Sequence, residues 1–358
     1  MISIDFCQTC QHGEESNAAK SACVRCAVGK SSASSPGLCK NCSDGQVSTM
    51  TGSQACTACL AGSKPNQGRS ECVLCDPGWY ASQEATHECS ECAAGHYSLS
   101  GATACSACQA GSANAAAGKM NVSACVPCVA GQYSSSSRAA SCSSCSPGQY
   151  SSGAGSTVCL NADAGYNTTG DQSGQMKCLA GSFSSEPGSV DCSACGAGHY
   201  SLSGATACTA CQAGSSNALS GQVNVSACVP CVAGNYSSSS RAGACTACAA
   251  GKFAIAGSSV CINCQPGAIP LADKSDCEVC GAGKFSALAG SDTCGDCGSG
   301  VYSLQGATVC TACSAGTAHA LTLRTNASAC AECVAGKYAG SSNSSDCDEC
   351  ESGKFAIT

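Results

Sequence analysis

The sequence predicts small disulfide-rich repeats that form an elongated rod or solenoid of short β-hairpins and turns, with almost no helix and no conventional hydrophobic core. The motif Cys-x-x-Cys-x-x-Gly recurs in 21 successive units, and most units begin 16 or 17 residues after the previous one. The chain has 40 cysteines among 358 residues, whereas aromatic residues make up only 4%. Such a composition is typical of a disulfide scaffold, and regular units of this length build arrays in which each unit contacts mainly its neighbours.

The first element of each unit is a turn at a glycine that lies six places after the first cysteine position, from Gly13 in the first unit to Gly353 in the last. We expect this glycine to adopt a positive φ, because only glycine does so without steric cost. The segment that follows is short and rich in Ser, Thr and Gly, which favours two-stranded hairpins and tight turns.

The second element is an aromatic residue two places after the glycine in most units. We interpret the ring as packing over a neighbouring disulfide, and the alternative is a ladder of rings that stacks against a ligand. Tyr166, Phe6 and the single Trp79 lie elsewhere in their units. The aromatic residues at the regular position are Tyr80, Tyr97, Tyr133, Tyr150, Phe183, Tyr200, Tyr236, Phe253, Phe285, Tyr302, Tyr338 and Phe355.

The third element is the disulfide, and one irregularity indicates its pairing. The second cysteine position of the tenth unit is Ala162, and the first position of the eleventh unit is Gln175. If the second cysteine of each unit bonds the first of the next, these two positions are partners that were lost together. This ladder gives 19 bonds and leaves Cys7 and Cys350 unpaired within the sequence. Its pairs include Cys10–Cys23, Cys26–Cys39, Cys128–Cys142, Cys145–Cys159, Cys178–Cys192 and Cys195–Cys208.

Two alternatives to the ladder remain open. An interlocked scheme joins first cysteine to first and second to second, and it survives the irregularity only if Cys159 pairs with Cys178. Alternatively, two Cys-x-x-Cys pairs separated by about 12 residues resemble Cys₄ zinc sites. So many thiolates with so few neighbouring cations disfavour zinc. Under the ladder, the step between Ala162 and Gln175 is the softest point of the array, with a bend or an inter-chain contact, unless a glycan on Asn167 or another contact holds it.

A longer period contains six units. In three places the distance between the first cysteines of successive units is stretched to 20 residues. These steps run from Cys105 to Cys125, from Cys208 to Cys228 and from Cys310 to Cys330. The predicted blocks are therefore 7–104; 105–207, with the missing crosslink near 162 and 175; 208–309; and a partial block, 310–358.

Each stretched loop carries an N-glycosylation sequon in the same register. Asn41 also begins a sequon, but its middle residue is Cys42. The serine runs 134–137 and 237–240 are candidates for O-linked glycans. The registered sequons begin at Asn121, Asn224 and Asn326, and further candidate sites are Asn167, Asn235 and Asn343.

The phrase Cys125-Val-Pro-Cys-Val-Ala-Gly-Gln-Tyr-Ser resembles the ephrin-receptor-like cysteine-rich repeats, and nearly the whole chain fits this pattern. The resemblance implies an extracellular disulfide-stapled rod, related in style to the modules of tumour-necrosis-factor and growth-factor receptors. Tandem arrays of this composition also resemble the surface antigens and mastigoneme-type filament proteins of protists and algae.

The predicted function is structural: an extracellular glycoprotein that assembles into or coats a filament or cell surface, with copies of itself or other coat proteins as partners. The alternative is an adhesion or receptor ectodomain that binds a protein or a glycan. We identify no catalytic, metal or cofactor site, since the five histidines are scattered and no catalytic set stands out. His96 and His199, in the same slot before a tyrosine, are interpreted as surface residues.

Charge and hydropathy are consistent with this prediction. The net charge is −7, and no basic stripe suggests a nucleic-acid partner. No apolar run approaches the ~20 residues of a membrane span. Residues 1–6 contain no signal-peptide apolar region, and the repeat is interrupted in mid-unit at Thr358, so we expect a piece of a longer chain.

Overall fold

The computed structural model describes residues 7–357, where it has 20 two-stranded antiparallel hairpins and three short 3-10 helices. The predicted fold class of small disulfide-rich repeats is thereby confirmed. Phe6 and Thr358, on which two of the sequence-based expectations depend, lie outside the described residues. The 3-10 helices are Val122–Ala124, Val225–Ala227 and Ala327–Ala329.

Each hairpin consists of two consecutive strands, so β1 pairs with β2, β3 with β4 and so on along the chain. Strands β1 to β20 are, in order, Glu14–Ser16, Cys23–Arg25, Lys30–Ser31, Lys40–Asn41, Gln46–Val47, Thr57–Ala58, Ser63–Pro65, Cys72–Leu74, Trp79–Tyr80, Ser90–Glu91, His96–Tyr97, Ser106–Ala107, Ser112–Ala113, Val126–Pro127, Gln132–Tyr133, Ser143–Ser144, Gln149–Tyr150, Leu160–Asn161, Tyr166–Thr168 and Gln175–Lys177. Strands β21 to β40 are Ser182–Phe183, Ser193–Ala194, His199–Tyr200, Thr209–Ala210, Ser215–Ser216, Val229–Pro230, Asn235–Tyr236, Thr246–Ala247, Lys252–Phe253, Ile262–Asn263, Ala268–Pro270, Cys277–Val279, Lys284–Phe285, Gly295–Asp296, Val301–Tyr302, Thr311–Ala312, Thr317–Ala318, Ala331–Glu332, Lys337–Tyr338 and Asp348–Glu349.

The described residues divide into two compact units. The first comprises 7–163, 167–176 and 187–191, and the second comprises 164–166, 177–186 and 192–357. Within each unit the same local design repeats from one hairpin to the next.

The sequence motif maps directly onto one hairpin. The first strand follows the invariant glycine, and the second strand is formed by the two residues between the cysteines of the next motif. In the hairpin of β5 and β6, for example, Gln46 lies opposite Ala58 and Val47 lies opposite Thr57. The invariant glycine has a positive φ throughout, as expected; it is +76° at Gly45, for example.

Backbone hydrogen bonds join each hairpin to the next two. In the first of the two compact units, for example, the Gly13 amide donates to the carbonyl of Ser32 in the following hairpin at 2.9 Å. The Gly52 amide, two hairpins further on, donates to the carbonyl of Cys26 at 2.8 Å. Stacking therefore extends beyond the nearest neighbour, which the repeat pattern alone does not reveal.

The interior of the array consists of sulfur and small side chains. The second cysteine of most motifs is buried, and Cys26 and Cys59 are fully inaccessible. Small residues such as Ser98 and Ala254 are buried three places after the glycine. Large aliphatic side chains are instead exposed, as at Leu99. The regular aromatic residues are half-buried, except for the exposed Tyr338 and Phe355.

Hydropathy along the described residues identifies no helix that is long and apolar enough to cross a membrane.

Candidate functional site

The cysteines have the ladder pairing throughout the described residues. Nineteen disulfides each join the second cysteine of one motif to the first cysteine of the next, with sequence separations of 13, 14 or 17. Cys7 and Cys350 are free. Each disulfide closes the base of one hairpin, so the crosslinks are local. The pairs named from the sequence are among them: Cys10–Cys23, Cys26–Cys39, Cys128–Cys142, Cys145–Cys159, Cys178–Cys192 and Cys195–Cys208.

The hairpin without a disulfide is closed by hydrogen bonds instead. Ala162 is fully buried where a cysteine would lie. The Gln175 Nε2 atom donates to the carboxylate of Asp163 at 2.7 Å, and the Asp163 amide donates to Gln175 Oε1 at 2.7 Å. The side chain at the first cysteine position therefore still holds the base of the hairpin, and the sequence did not identify Asp163 as its partner.

Stacking around Ala162 is the same as at the crosslinked positions. The Ala162 amide donates to the Gly148 carbonyl at 2.9 Å, just as the Cys145 amide donates to Gly131. The Ala162 carbonyl accepts from the Gly188 amide at 2.8 Å. Hydrogen bonds therefore hold this step in place of the disulfide, and the expected bend or inter-chain contact and the glycan on Asn167 stay predictions.

The loop of the same hairpin contains a carboxylate that is stabilised by hydrogen bonds. Asp171 accepts from the Thr169 hydroxyl at 2.7 Å, and from the amide and hydroxyl of Ser173 at 3.1 and 2.8 Å. These bonds, that from Thr169 above all, lower the pKa of Asp171 to about 2. The loop is ordered by its own polar side chains.

The three registered sequons occupy one structural role. Asn121, Asn224 and Asn326 are exposed residues at the N-terminal caps of the three 3-10 helices. Each Oδ1 atom accepts from the backbone amide two residues later, at 3.0, 3.0 and 3.1 Å respectively. An N-glycan is attached through Nδ2, which the cap does not use, so the cap and the modification are chemically compatible.

The other sequons lie in different settings. Asn167 and Asn235 are half-buried within strands β19 and β27. Asn343 is exposed at a turn with φ of +72°, and its backbone amide donates to the Cys313 carbonyl at 3.0 Å. Asn41 lies in β4, next to the disulfide-bonded Cys42. Of the candidate sites, only the registered set combines exposure with a cap.

One recurring position in the stretched loops did not stand out as a site in the sequence. The Nδ2 atoms of Asn114 and Asn217 donate to the carbonyls of His96 and His199, each at 3.0 Å. In the partial block 310–358 the equivalent position is His319, which is 7% exposed and whose Nε2 lies 3.0 Å from the Val301 carbonyl oxygen. The six-unit period could have revealed this position, because Asn114, Asn217 and His319 are separated by 103 and 102 residues. His96 and His199, which the sequence suggested are surface residues, are half-buried.

Cys313, His319 and Cys330 are the one group of three potential metal ligands among the described residues, with ligand atoms within 4.8 Å of one another. Cys313 and Cys330 are bonded to each other. Since a metal would require their thiolates, the group can bind one through both sulfurs only after reduction.

Comparison with models of known protein families finds no match, and comparison with curated proteins also finds none. The architecture nevertheless classifies the chain at a coarser level. It is a cysteine-rich repeat protein built from tandem, disulfide-stapled β-hairpins.

Proposed function

We propose that this chain is part of an extracellular structural glycoprotein, a disulfide-stapled rod that assembles into or coats a filament or cell surface. Extensive disulfide bonding is typical of extracellular proteins, because the cytosol keeps thiols reduced. The role is mechanical rather than catalytic. Its repeats belong with the ephrin-receptor-like type, as in mastigoneme-type filament proteins and protist surface antigens.

The observation that carries the proposal is the recurrence of the same exposed side chains in successive blocks. Asn121, Asn224 and Asn326 recur as exposed caps. An exposed leucine also recurs, since Leu99, Leu202 and Leu304 are 65%, 64% and 62% accessible. Presenting one surface repeatedly suits self-assembly, in which the same contact is used many times.

Electron microscopy of the native material tests the assembly. We expect a filament or coat whose axial repeat is a multiple or simple fraction of the six-hairpin period. Isolated molecules that are attached singly to cells and bound to a different protein would instead favour the adhesion or receptor alternative.

The glycans require their own test, which mass spectrometry of secreted protein provides. We expect N-glycans on Asn121, Asn224 and Asn326. Asn121→Asp removes the Nδ2 atom to which the glycan is attached but keeps an oxygen that caps the 3-10 helix. The variant should therefore lose one glycan and still fold. Unmodified peptides at all three asparagines in protein made by glycosylating cells would contradict the glycoprotein assignment.

A further inference from the structure

We propose that a groove beside Asn121, and the equivalent surface beside Asn224, each bind the innermost N-acetylglucosamine of an N-glycan that is attached to that asparagine. The inference rests on the glycoprotein role proposed above, and it gives two of the glycans a fixed position on the protein surface. It also distinguishes them from the glycan at the third registered site, Asn326.

The groove beside Asn121 has the size of a small-ligand site. Its volume is about 330 Å³, at the lower end of the range of about 300–1,000 Å³ that is usual for such sites. Its lining includes Tyr97, Gln109, Val122 and Pro127. A groove of this volume and mixed lining suits a single substituted sugar ring.

The attachment point lies next to the groove. Val122, which is part of the lining, directly follows Asn121 in the chain, and consecutive Cα atoms are about 3.8 Å apart. The backbone of Tyr97, also part of the lining, forms a parallel bridge with Lys119, two residues before Asn121. The Ser98 amide donates to the Lys119 carbonyl at 3.0 Å. The chain on both sides of Asn121 is therefore tied to the groove, which lies within reach of the first sugar on Nδ2.

The lining matches the chemistry of N-acetylglucosamine. The ring faces of this sugar carry axial C–H bonds, which pack favourably on the negatively charged face of an aromatic ring. Tyr97 is half-buried and Val122 is 64% exposed, so a sugar that covers them removes apolar surface from water. The acetamido group both donates and accepts hydrogen bonds, and the exposed carboxamide of Gln109 can do the same.

The lining residues recur without change beside Asn224. The tyrosine there again forms a parallel bridge with the residue two places before the sequon asparagine. The valine that follows this asparagine is again 64% exposed. The two sites therefore offer a sugar the same contacts. The residues equivalent to the four named above are Tyr200, Gln212, Val225 and Pro230.

The third registered site differs at three of these four positions. Ser314, Ala327 and Glu332 replace the glutamine, the valine and the proline, whereas the tyrosine is kept as Tyr302. Ala327 and Glu332 are both exposed. The site thus has less apolar surface to cover, and a sugar placed over Glu332 would have to desolvate its carboxylate. We therefore expect a glycan on Asn326 to stay in solvent.

Release of the glycans by a peptide N-glycosidase, followed site by site with mass spectrometry, tests the proposal. The protein is secreted by cells that make uniform oligomannose glycans, and each rate in the native protein is divided by the rate for the same site after reduction and denaturation. We expect this ratio to be about tenfold lower at Asn121 and Asn224 than at Asn326, because covering about 55 Å² of apolar surface shifts an equilibrium by about that factor.

The triple change Gln109→Ser/Val122→Ala/Pro127→Glu is the matched variant, because it installs at the first site the three residues of the third. Folding should persist, since the third site has the same hairpin with these residues. Release at Asn121 should accelerate about tenfold, by loss of the same apolar contact, while Asn224 in the same molecule keeps its rate. In protein that carries ¹³C-labelled N-acetylglucosamine, NMR should show an upfield ring-current shift for the sugar on Asn121, and the triple change should abolish it.

The outcomes separate this proposal from the glycoprotein role. If all three asparagines carry glycans that are released equally fast from the native protein, or if the triple change leaves Asn121 unaffected, the sugar-binding groove is wrong and the glycoprotein role stands. Unmodified asparagines at all three sites would contradict the glycoprotein role, and this inference with it.

Discussion

At the scale of single residues, the invariant glycine is required by a close approach as well as by its φ. At Gly198 the φ is +77°, and an added Cβ would lie 2.1 Å from the carbonyl oxygen of Arg241, two hairpins along the chain. Arg241 itself has φ of +74°, and Ala85 holds an equivalent turn. These turns accept residues with a side chain because no backbone atom lies close to the Cβ. At Gly221, for example, an added Cβ would have no atom within 4 Å.

We therefore expect Gly198→Ala to destabilise its hairpin by about 3 kcal/mol or more, since both strain and overlap contribute. Gly221→Ala is the matched control, since its φ is +70° and no atom lies within 4 Å of the added carbon. It should cost only about 1–2 kcal/mol. Hydrogen exchange at the Arg241 amide, which donates to the Cys211 carbonyl at 3.0 Å, reports the difference. Equal acceleration in both variants would show that the close approach has no energetic consequence.

The loop around Asp171 should respond to acid. Its pKa is about 2, chiefly because of the Thr169 hydroxyl, against about 3.9 in an unfolded chain. A lowered carboxyl pKa contributes local stability that is fully present above about pH 4 and is lost as the pH falls through about 2. NMR titration should show this, and Thr169→Ala should raise the pKa of Asp171. An ordinary pKa in the unmodified protein would contradict the assignment.

At the scale of one hairpin, the structure contains two ways of closing the same base. Most hairpins use a disulfide, and the hairpin of β19 and β20 uses the paired hydrogen bonds between Gln175 and Asp163. The stacking bonds at Ala162 persist. Backbone stacking thus tolerates the loss of one crosslink, because the neighbouring hairpins supply the same bonds whether or not sulfur is present.

The double change Ala162→Cys/Gln175→Cys should form an additional disulfide. A crosslink that closes a loop of this length stabilises the folded hairpin by about 3 kcal/mol, because it restricts the unfolded chain. Hydrogen exchange at the Thr169 amide, which donates to Gly174 at 3.0 Å, should slow.

The single change Gln175→Ala is the opposing control. It removes the hydrogen bonds to Asp163, so exchange at the Asp163 amide should accelerate. If the two introduced cysteines stay reduced in oxidising conditions, the geometric equivalence of this hairpin to its neighbours is wrong.

At the scale of the whole molecule, the free energy of folding is distributed over many local crosslinks. Peptide mapping under non-reducing conditions should recover Cys26–Cys39, Cys128–Cys142 and Cys178–Cys192. Full reduction should unfold the described hairpins, because their interior offers little apolar burial to replace the disulfides. Circular dichroism and hydrogen exchange before and after reduction check this. Recovery of a Cys23–Cys39 peptide, or an ordered chain after complete reduction, would contradict it.

Three features could be predicted from the sequence because they are local: the glycine turn, the hairpins and the disulfide pairing. A disulfide that closes one hairpin links residues 13 to 17 apart, and the joint loss of cysteine at positions 162 and 175 indicates that these two positions are partners. The packing of the aromatic rings over neighbouring disulfides and the block boundaries stay predictions.

Other features depend on which residues meet across hairpins, and only the tertiary structure decided them. Asp163 as the partner of Gln175, the carbonyl that excludes a side chain at Gly198, and His319 beside Cys313 and Cys330 all require the register of stacking. The sequence period determined the local structure of each hairpin, namely its glycine turn, its two strands and the crosslink at its base. The placement of one hairpin on the next two is set by backbone hydrogen bonds that any residue except proline can donate. The invariant glycine is its main mark in residue type, and a glycine does not show which carbonyl approaches it.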